Sequence, residues 1–197
     1  MVFTTLSNAE EEIEDLIDIF ESNSKLVAII EGKKTISFDL PANEKVLWSD
    51  SKGNLGAFLT NNRVFVISTS SGIWKYLHLR SDEPEEAKTS LSPNIVLLVF
   101  GDRAIGYDAS LNQFIETQLP LHDELLAVET GKYVAVVITS SRAFGLAEKS
   151  SSFTEVRLGI REALEDVKVT SNKVTLRSSD RLLSFTTISS AWNEHRL

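Results

Sequence analysis

Tyr133-Val134-Ala135-Val136-Val137-Ile138-Thr139-Ser140-Ser141-Arg142-Ala143-Phe144-Gly145-Leu146-Ala147 decides the fold. Two apolar runs of about six residues flank a short polar turn, and the second run starts on a basic residue. Runs of this length, rich in Val, Ile and Phe and split by Ser, Gly or Asn, read as strands joined by tight hairpins. Upstream, Leu125-Leu126-Ala127-Val128 forms another apolar run, closed by Glu129-Thr130-Gly131-Lys132. Downstream, a turn at Glu148-Lys149-Ser150-Ser151 leads to a fourth run from Phe153 to Leu158. Nothing between these runs is long enough for a crossover helix, so the four strands form an antiparallel meander.

The same turn recurs along the chain, and internal repeats outrank isolated motifs as evidence for a fold. Thr60-Asn61-Asn62-Arg63, Phe100-Gly101-Asp102-Arg103, Thr139-Ser140-Ser141-Arg142 and Ser178-Ser179-Asp180-Arg181 align, and Ser22-Asn23-Ser24-Lys25 joins them with Lys in the Arg column. The basic positions are 38, 40, 39 and 39 residues apart. Eleven residues beyond them lie Ile36, Trp74, Phe114, Phe153 and Trp192. Thirteen beyond, the last three copies carry Glu116, Glu155 and Glu194. Four strands in about 39 residues is the size of a propeller blade, and five such units nearly exhaust the 197 residues.

In length and strand order the unit resembles the blades of WD-repeat and YVTN-type β-propellers, with the Gly131-Lys132 turn between its first two strands. It lacks their Gly-His pair and Trp-Asp dipeptide, so the resemblance is to the superfold and not to one family. It implies an all-β, five-bladed propeller of four-stranded antiparallel blades in a single domain, residues 1–197. The blades are expected near 1–41, 42–83, 84–122, 123–162 and 163–197. Ring closure is expected from packing of the last blade on the first, with an open or dimer-completed ring as the alternative. The first blade is irregular or partly helical in this reading. Asp15 to Phe20 aligns with second strands elsewhere and Val2 to Leu6 supplies an innermost strand, but Ile13, Leu16, Ile17 and Phe20 also fall at helical spacing.

Composition narrows the function classes. The chain carries 28 acidic and 20 basic residues, a net charge of −8, and 42% of it is hydrophobic. Neither nucleic acid nor an anionic membrane offers such a chain a counter-charge, so neither is expected as a partner. No apolar run reaches the length of a membrane span, and no signal peptide is expected at the start. The absence of Cys excludes disulfides and thiol chemistry and fits a reducing compartment, so a cytoplasmic location is expected. His78, His122 and His195 lack the spacing of metal ligands, and Gly101 and Gly106 fall on turn and strand positions, not in a phosphate loop. No metal, cofactor or catalytic set is expected.

The candidate binding residues come from the repeat columns. Lys25, Arg63, Arg103, Arg142 and Arg181 start equivalent strands and form a ring on one face, suited to an anion or acidic partner. The competing reading makes them structural. Glu44, Asp82-Glu83-Glu85-Glu86, Asp123-Glu124 and Glu162-Glu165-Asp166 lie in inter-blade loops on that same face, and each Arg would clamp its own blade's loop through one of these carboxylates. Trp74 and Trp192 line sugar pockets in one reading and fill the gaps between blades in the other. The acidic stretch Ser81 to Lys88 reads as a solvated loop. A non-catalytic scaffold for a protein or peptide on a propeller face is therefore expected. A lectin-like binder of sugars or small ligands is the second hypothesis. The third is a small glycosidase-like enzyme using channel carboxylates such as Asp50, Glu129 and Glu44.

Overall fold

A computed structural model of the chain describes residues 14–32, 35–80, 83, 87–159 and 162–197. Nineteen strands and no helix are found among these residues, arranged as five antiparallel sheets in chain order. Sheet 1 holds β1 (Ile17–Ser22), β2 (Lys25–Ile30) and β3 (Ile36–Asp39). Sheet 2 holds β4 (Val46–Lys52), β5 (Leu55–Thr60), β6 (Arg63–Ser68) and β7 (Lys75–His78). Sheet 3 holds β8 (Lys88–Leu91), β9 (Ile95–Phe100), β10 (Arg103–Asp108) and β11 (Gln113–Gln118). Sheet 4 is β12 (Leu125–Thr130), β13 (Val134–Thr139), β14 (Arg142–Ala147) and β15 (Thr154–Arg157). Sheet 5 is β16 (Leu164–Val169), β17 (Lys173–Ser178), β18 (Arg181–Thr186) and β19 (Trp192–Arg196). Strand order within each sheet follows the chain, so every sheet is a simple meander.

The repeat columns map onto equivalent places. Each basic residue opens the third strand of its unit, which is β2 in sheet 1 because β1 occupies the second-strand position. Ile17 to Phe20 are therefore strand, paired residue by residue with Ile30 to Val27. The hairpin between them turns on Asn23 and Ser24, at φ 49° and 60°, the left-handed pair that matches the twist of two adjoining strands. Val2 to Leu6, the expected innermost strand, and residues 8–13 of the helical reading lie outside the described residues.

Sheets pack in sequence, and the side-chain alternation shows how. Along β9, Ile95, Leu97 and Val99 enter the seam with sheet 4, while Val96, Leu98 and Phe100 enter the seam with sheet 2. A strand apolar on both faces is buried on both, and β5, β6, β9, β10 and β13 are buried at every residue. Backbone bonds hold the register from sheet to sheet. The amide preceding the second strand donates to the turn before the next sheet's second strand at Leu16→Gly53 (2.9 Å), Asn54→Pro93 (3.2 Å) and Tyr133→Ser171 (2.8 Å). The fold is thus of the β-propeller type, a stack of successive meanders joined by four apolar seams.

The two ends of the stack differ from its middle. The positions that carry Val134, Val136 and Ile138 in sheet 4 carry Lys173, Thr175 and Arg177 in sheet 5, and burial there alternates. Among the described residues no apolar cluster joins sheet 5 to sheet 1.

Candidate functional site

The end of the stack that carries the basic column is built by one short-range design repeated with variations. A Thr or Ser ends the second strand in sheets 2, 4 and 5 and Phe100 ends it in sheet 3, two small residues turn the chain, and the Arg starts the third strand beside the loop that leads into the blade. In sheet 2, Arg63 Nε lies 3.0 Å from Glu44 Oε1, its second guanidinium nitrogen donates to Glu44 Oε2, and Thr60 Oγ1 donates to Glu44 at 2.6 Å. Both partners are buried. In sheet 5, Arg181 contacts both Glu162 oxygens at 2.8 Å, and Ser178 Oγ donates to Glu162 at 2.5 Å. In sheet 3, Arg103 reaches Glu83 at 2.7 Å from Nη2, with an Nε to Oε1 ion contact of 2.6 Å that lies off the hydrogen-bond axis. Such fork-to-fork pairs are the strong form of the guanidinium–carboxylate interaction.

Sheet 4 has Asp123 where the others have Glu. One methylene shorter, it accepts from Thr139 Oγ1 at 2.7 Å and from Ser141, and Arg142 instead pairs with Glu155 at 2.9 Å. Lys25 in sheet 1 pairs across the strands with exposed Asp39 at 3.0 Å. The second acidic column has the same cause in three sheets, since Glu116, Glu155 and Glu194 each meet the first guanidinium nitrogen of their sheet's Arg within 2.9 Å. In sheet 2 that place holds Tyr76, and the Arg63 guanidinium lies over Phe65, Tyr76 and Phe38 at 4.6–5.3 Å.

Ionisation follows the geometry. Burial would raise the Glu44 carboxyl, yet the hydrogen bonds from Arg63 and Thr60 outweigh it and hold the group below its usual range. Arg181 is the main cause that brings Glu162 down to about 2, and it does so against the burial of the carboxylate. Hydrogen bonds from Ser141 and Thr139 lower Asp123. Near neutral pH Glu44 and Glu162 are anions matched to fixed cations, and Asp123 is an anion held by hydroxyl and amide donors.

Glu83 sits in the stretch expected to be a solvated loop, and its carboxylate is almost wholly buried against Arg103. That part of the expectation is corrected. The acid neutralises a buried guanidinium, which would be costly without it. Residues 81, 82 and 84–86 of the same stretch lie outside the described residues. Glu44, counted among channel carboxylates, is bound into its clamp, while Asp50 on β4 and Glu129 on β12 are exposed.

The aromatic column lies in the seams. Trp74 packs between sheets 1 and 2 with its ring 5.7 Å from Phe58. Trp192 packs between sheets 4 and 5 against Phe185 at 5.2 Å, its indole N–H donating to Thr154 O of the neighbouring sheet at 2.9 Å. Phe114 and Phe153 occupy the seams between sheets 2 and 3 and sheets 3 and 4. Among the described residues, no group of three His, Asp or Glu side chains is placed to hold a metal. Among the same described residues no helix is long and apolar enough to cross a membrane.

Two features escape sequence reading. At the opposite end of the stack buried Asp108 accepts from the Ser110 and Leu111 amides and the Ser110 hydroxyl, and its other oxygen takes the Lys149 amide of sheet 4 at 2.5 Å. It ties one turn to the next blade, and nothing in its own stretch signals that reach. The other feature is a β-bulge at one place on three innermost strands, between Val46 and Trp48, Leu125 and Ala127, and Leu164 and Asp166. The bulged residues are Leu47, Leu126 and Glu165, all turned to solvent at the clamp end. Leu121, in the loop before β12, is 76% exposed, Leu126 44% and Leu47 40%. Lys88, Thr89 and Leu125 to Glu129 line a groove of about 300 Å³ between β8 and β12, and Ser90 and Thr130 bridge the two strands at 2.9 Å.

No family model matches the chain, and no curated protein matches it in sequence. Among solved structures it is similar to propeller proteins. Hsv2 of Kluyveromyces lactis is 10% identical over 93% of this chain and 73% of that one, with a TM-score of 0.42. Prp20p of Saccharomyces cerevisiae is 9% identical over 87% and 55%, TM-score 0.45. AztD of Citrobacter koseri is 14% identical over 92% and 59%, TM-score 0.45.

Proposed function

We propose that the chain is a non-catalytic interaction scaffold of five propeller blades in one domain, engaging a protein or peptide at the clamp end of its inner strands. The observation that carries this reading is the set of exposed leucines there. Leu126 and Leu47 stand on equivalent β-bulges, and Leu121 lies in the loop leading to β12. An exposed apolar side chain held by a bulge, beside a groove flanked by Lys88 and Glu129, suits an apolar anchor of a partner with polar contacts at its rim. The clamps support the reading from the other side. Glu44, Glu83 and Glu162 are each buried and ion-paired with an arginine, which sets them aside as clamps. A cytoplasmic location rests on the chain's lack of cysteine.

Site-specific photo-crosslinking in cells tests this. A photoreactive residue replacing Leu126 should give discrete crosslinked protein bands that Leu121→Glu abolishes, and the same residue at Ile188, on the opposite end, should give none. Equal labelling at both positions, or none at Leu126, would sink the proposal.

A further inference from the structure

The four seams follow one rule. At each, the face that a sheet turns forward meets the face that the next sheet turns back. The backward-facing positions of the central strands carry Phe58, Phe65 and Ile67 in sheet 2, Leu98, Ile105 and Tyr107 in sheet 3, and Leu176, Leu183 and Phe185 in sheet 5. Sheet 1 has Phe20, Val27 and Ile29 at the same positions, so its backward face keeps the chemistry of a seam. No sheet precedes it among the described residues, and Phe20 is 44% and Ile29 43% exposed. The forward face left over at the other end of the stack does not complement it, because it presents Lys173, Thr175 and Arg177. Closure of the ring on itself or head-to-tail stacking of copies would set Phe20 and Ile29 against a face on which Leu182 is the one apolar side chain of the central strands.

We propose that this face of sheet 1 is a self-association surface, packing against the same face of a second copy. The charge pattern favours that occupant. Phe20 pairs with Val27 at the middle of the face, Asp18 pairs with Ile29 at one end, and Lys25 pairs with Ser22 at the other. A two-fold axis lying between the faces and crossing the strands at Phe20 stacks Phe20 on its counterpart. It also brings Asp18 of each copy to the end that carries Lys25 of the other. Lys25 is half exposed and its ion pair with Asp39 is exposed, so it can be shared. Self-complementarity of this kind is what an isologous interface requires. Two strands of six residues and one of four give a footprint of roughly 250 Å², well under the ~800 Å² per partner of a standard interface. The dimer is accordingly weak, with a dissociation constant of about 10 µM to 1 mM. This surface is separate from the leucine-bearing groove and does not depend on what occupies it.

Sedimentation equilibrium of the full chain from about 5 µM to 1 mM tests the proposal in the range set by that footprint. A monomer–dimer equilibrium is expected, weakened about tenfold by Phe20→Ser. Asp18→Lys and Lys25→Asp should each weaken it, and the double variant should recover association to within about twofold of the native chain. Arg177→Glu, on the far end, should leave it unchanged. Circular dichroism and melting confirm folding of each variant, and Ile29→Thr replaces Phe20→Ser if that variant unfolds. A chain monomeric throughout, a dimer indifferent to both apolar variants, or one abolished by Arg177→Glu would each overturn it.

Discussion

The clamp chemistry is plainest in one pair of side chains, Glu162 and Arg181. The carboxylate is almost wholly buried, takes two guanidinium contacts at 2.8 Å and a hydroxyl at 2.5 Å, and titrates at about 2 instead of its ordinary 4.5. A carboxyl whose folded value lies below its unfolded one adds stability above the unfolded value and loses it as pH falls toward the folded one. The Glu162 contribution should therefore be complete above about pH 5 and fade between about 4.5 and 2. Urea denaturation of the native chain and of Glu162→Gln should show a gap of about 2 kcal/mol near neutrality, shrinking as pH drops through that window. A gap constant with pH would refute the assignment. The basic column and its acids were legible in the sequence, because a hairpin and an inter-blade loop at constant spacing must meet. Which acid each Arg takes was not, since one methylene separates Glu162 from Asp123 in reach.

At the scale of the element, the seams depend on small residues as much as on large ones. Gly106 and Gly145 hold the same place on β10 and β14, facing the next sheet. A Cβ at Gly106 would lie 2.4 Å from Leu146 Cδ2, and one at Gly145 would lie 2.8–2.9 Å from three ring atoms of Phe185. Sheet 5 has Ser184 there, on its polar forward face. Gly145→Ala should destabilise the chain by roughly 1–3 kcal/mol through overpacking and alter the emission of Trp192, which stacks on Phe185. Ser184→Ala should cost under about 0.5 kcal/mol. Equal effects of the two substitutions in urea titrations would refute this account of the glycines. Nothing in the stretch around Gly145 announces the role, because the group that excludes a Cβ comes from 40 residues away.

For the whole molecule, the decisive contrast is between sheets covered on two faces and sheets covered on one. β5, β9 and β13 are buried at every position and apolar on both faces except for the Thr60 and Thr139 that close β5 and β13, whereas β17 alternates Lys173, Thr175 and Arg177 with Val174 and Leu176. A terminal repeat with a polar outer face is what keeps a stacked array from growing. Lys173→Leu combined with Arg177→Leu should turn that face adhesive and produce higher oligomers at about 100 µM, read by light scattering. A double variant with the native chain's scattering would remove the capping role.

Period and local pattern alone establish the repeat, the strand order of sheets 2 to 5, the basic and acidic columns and the all-β class. Each unit carries these in its own 39 residues. It takes the packed sheets to show that the aromatic column fills seams, that Glu83 is buried against Arg103, and that bulges turn Leu47 and Leu126 outward. The same packing shows one stack end polar and the other apolar. Such outcomes depend on which face of a strand meets a neighbour, and that is settled by register between units, not by the pattern inside one.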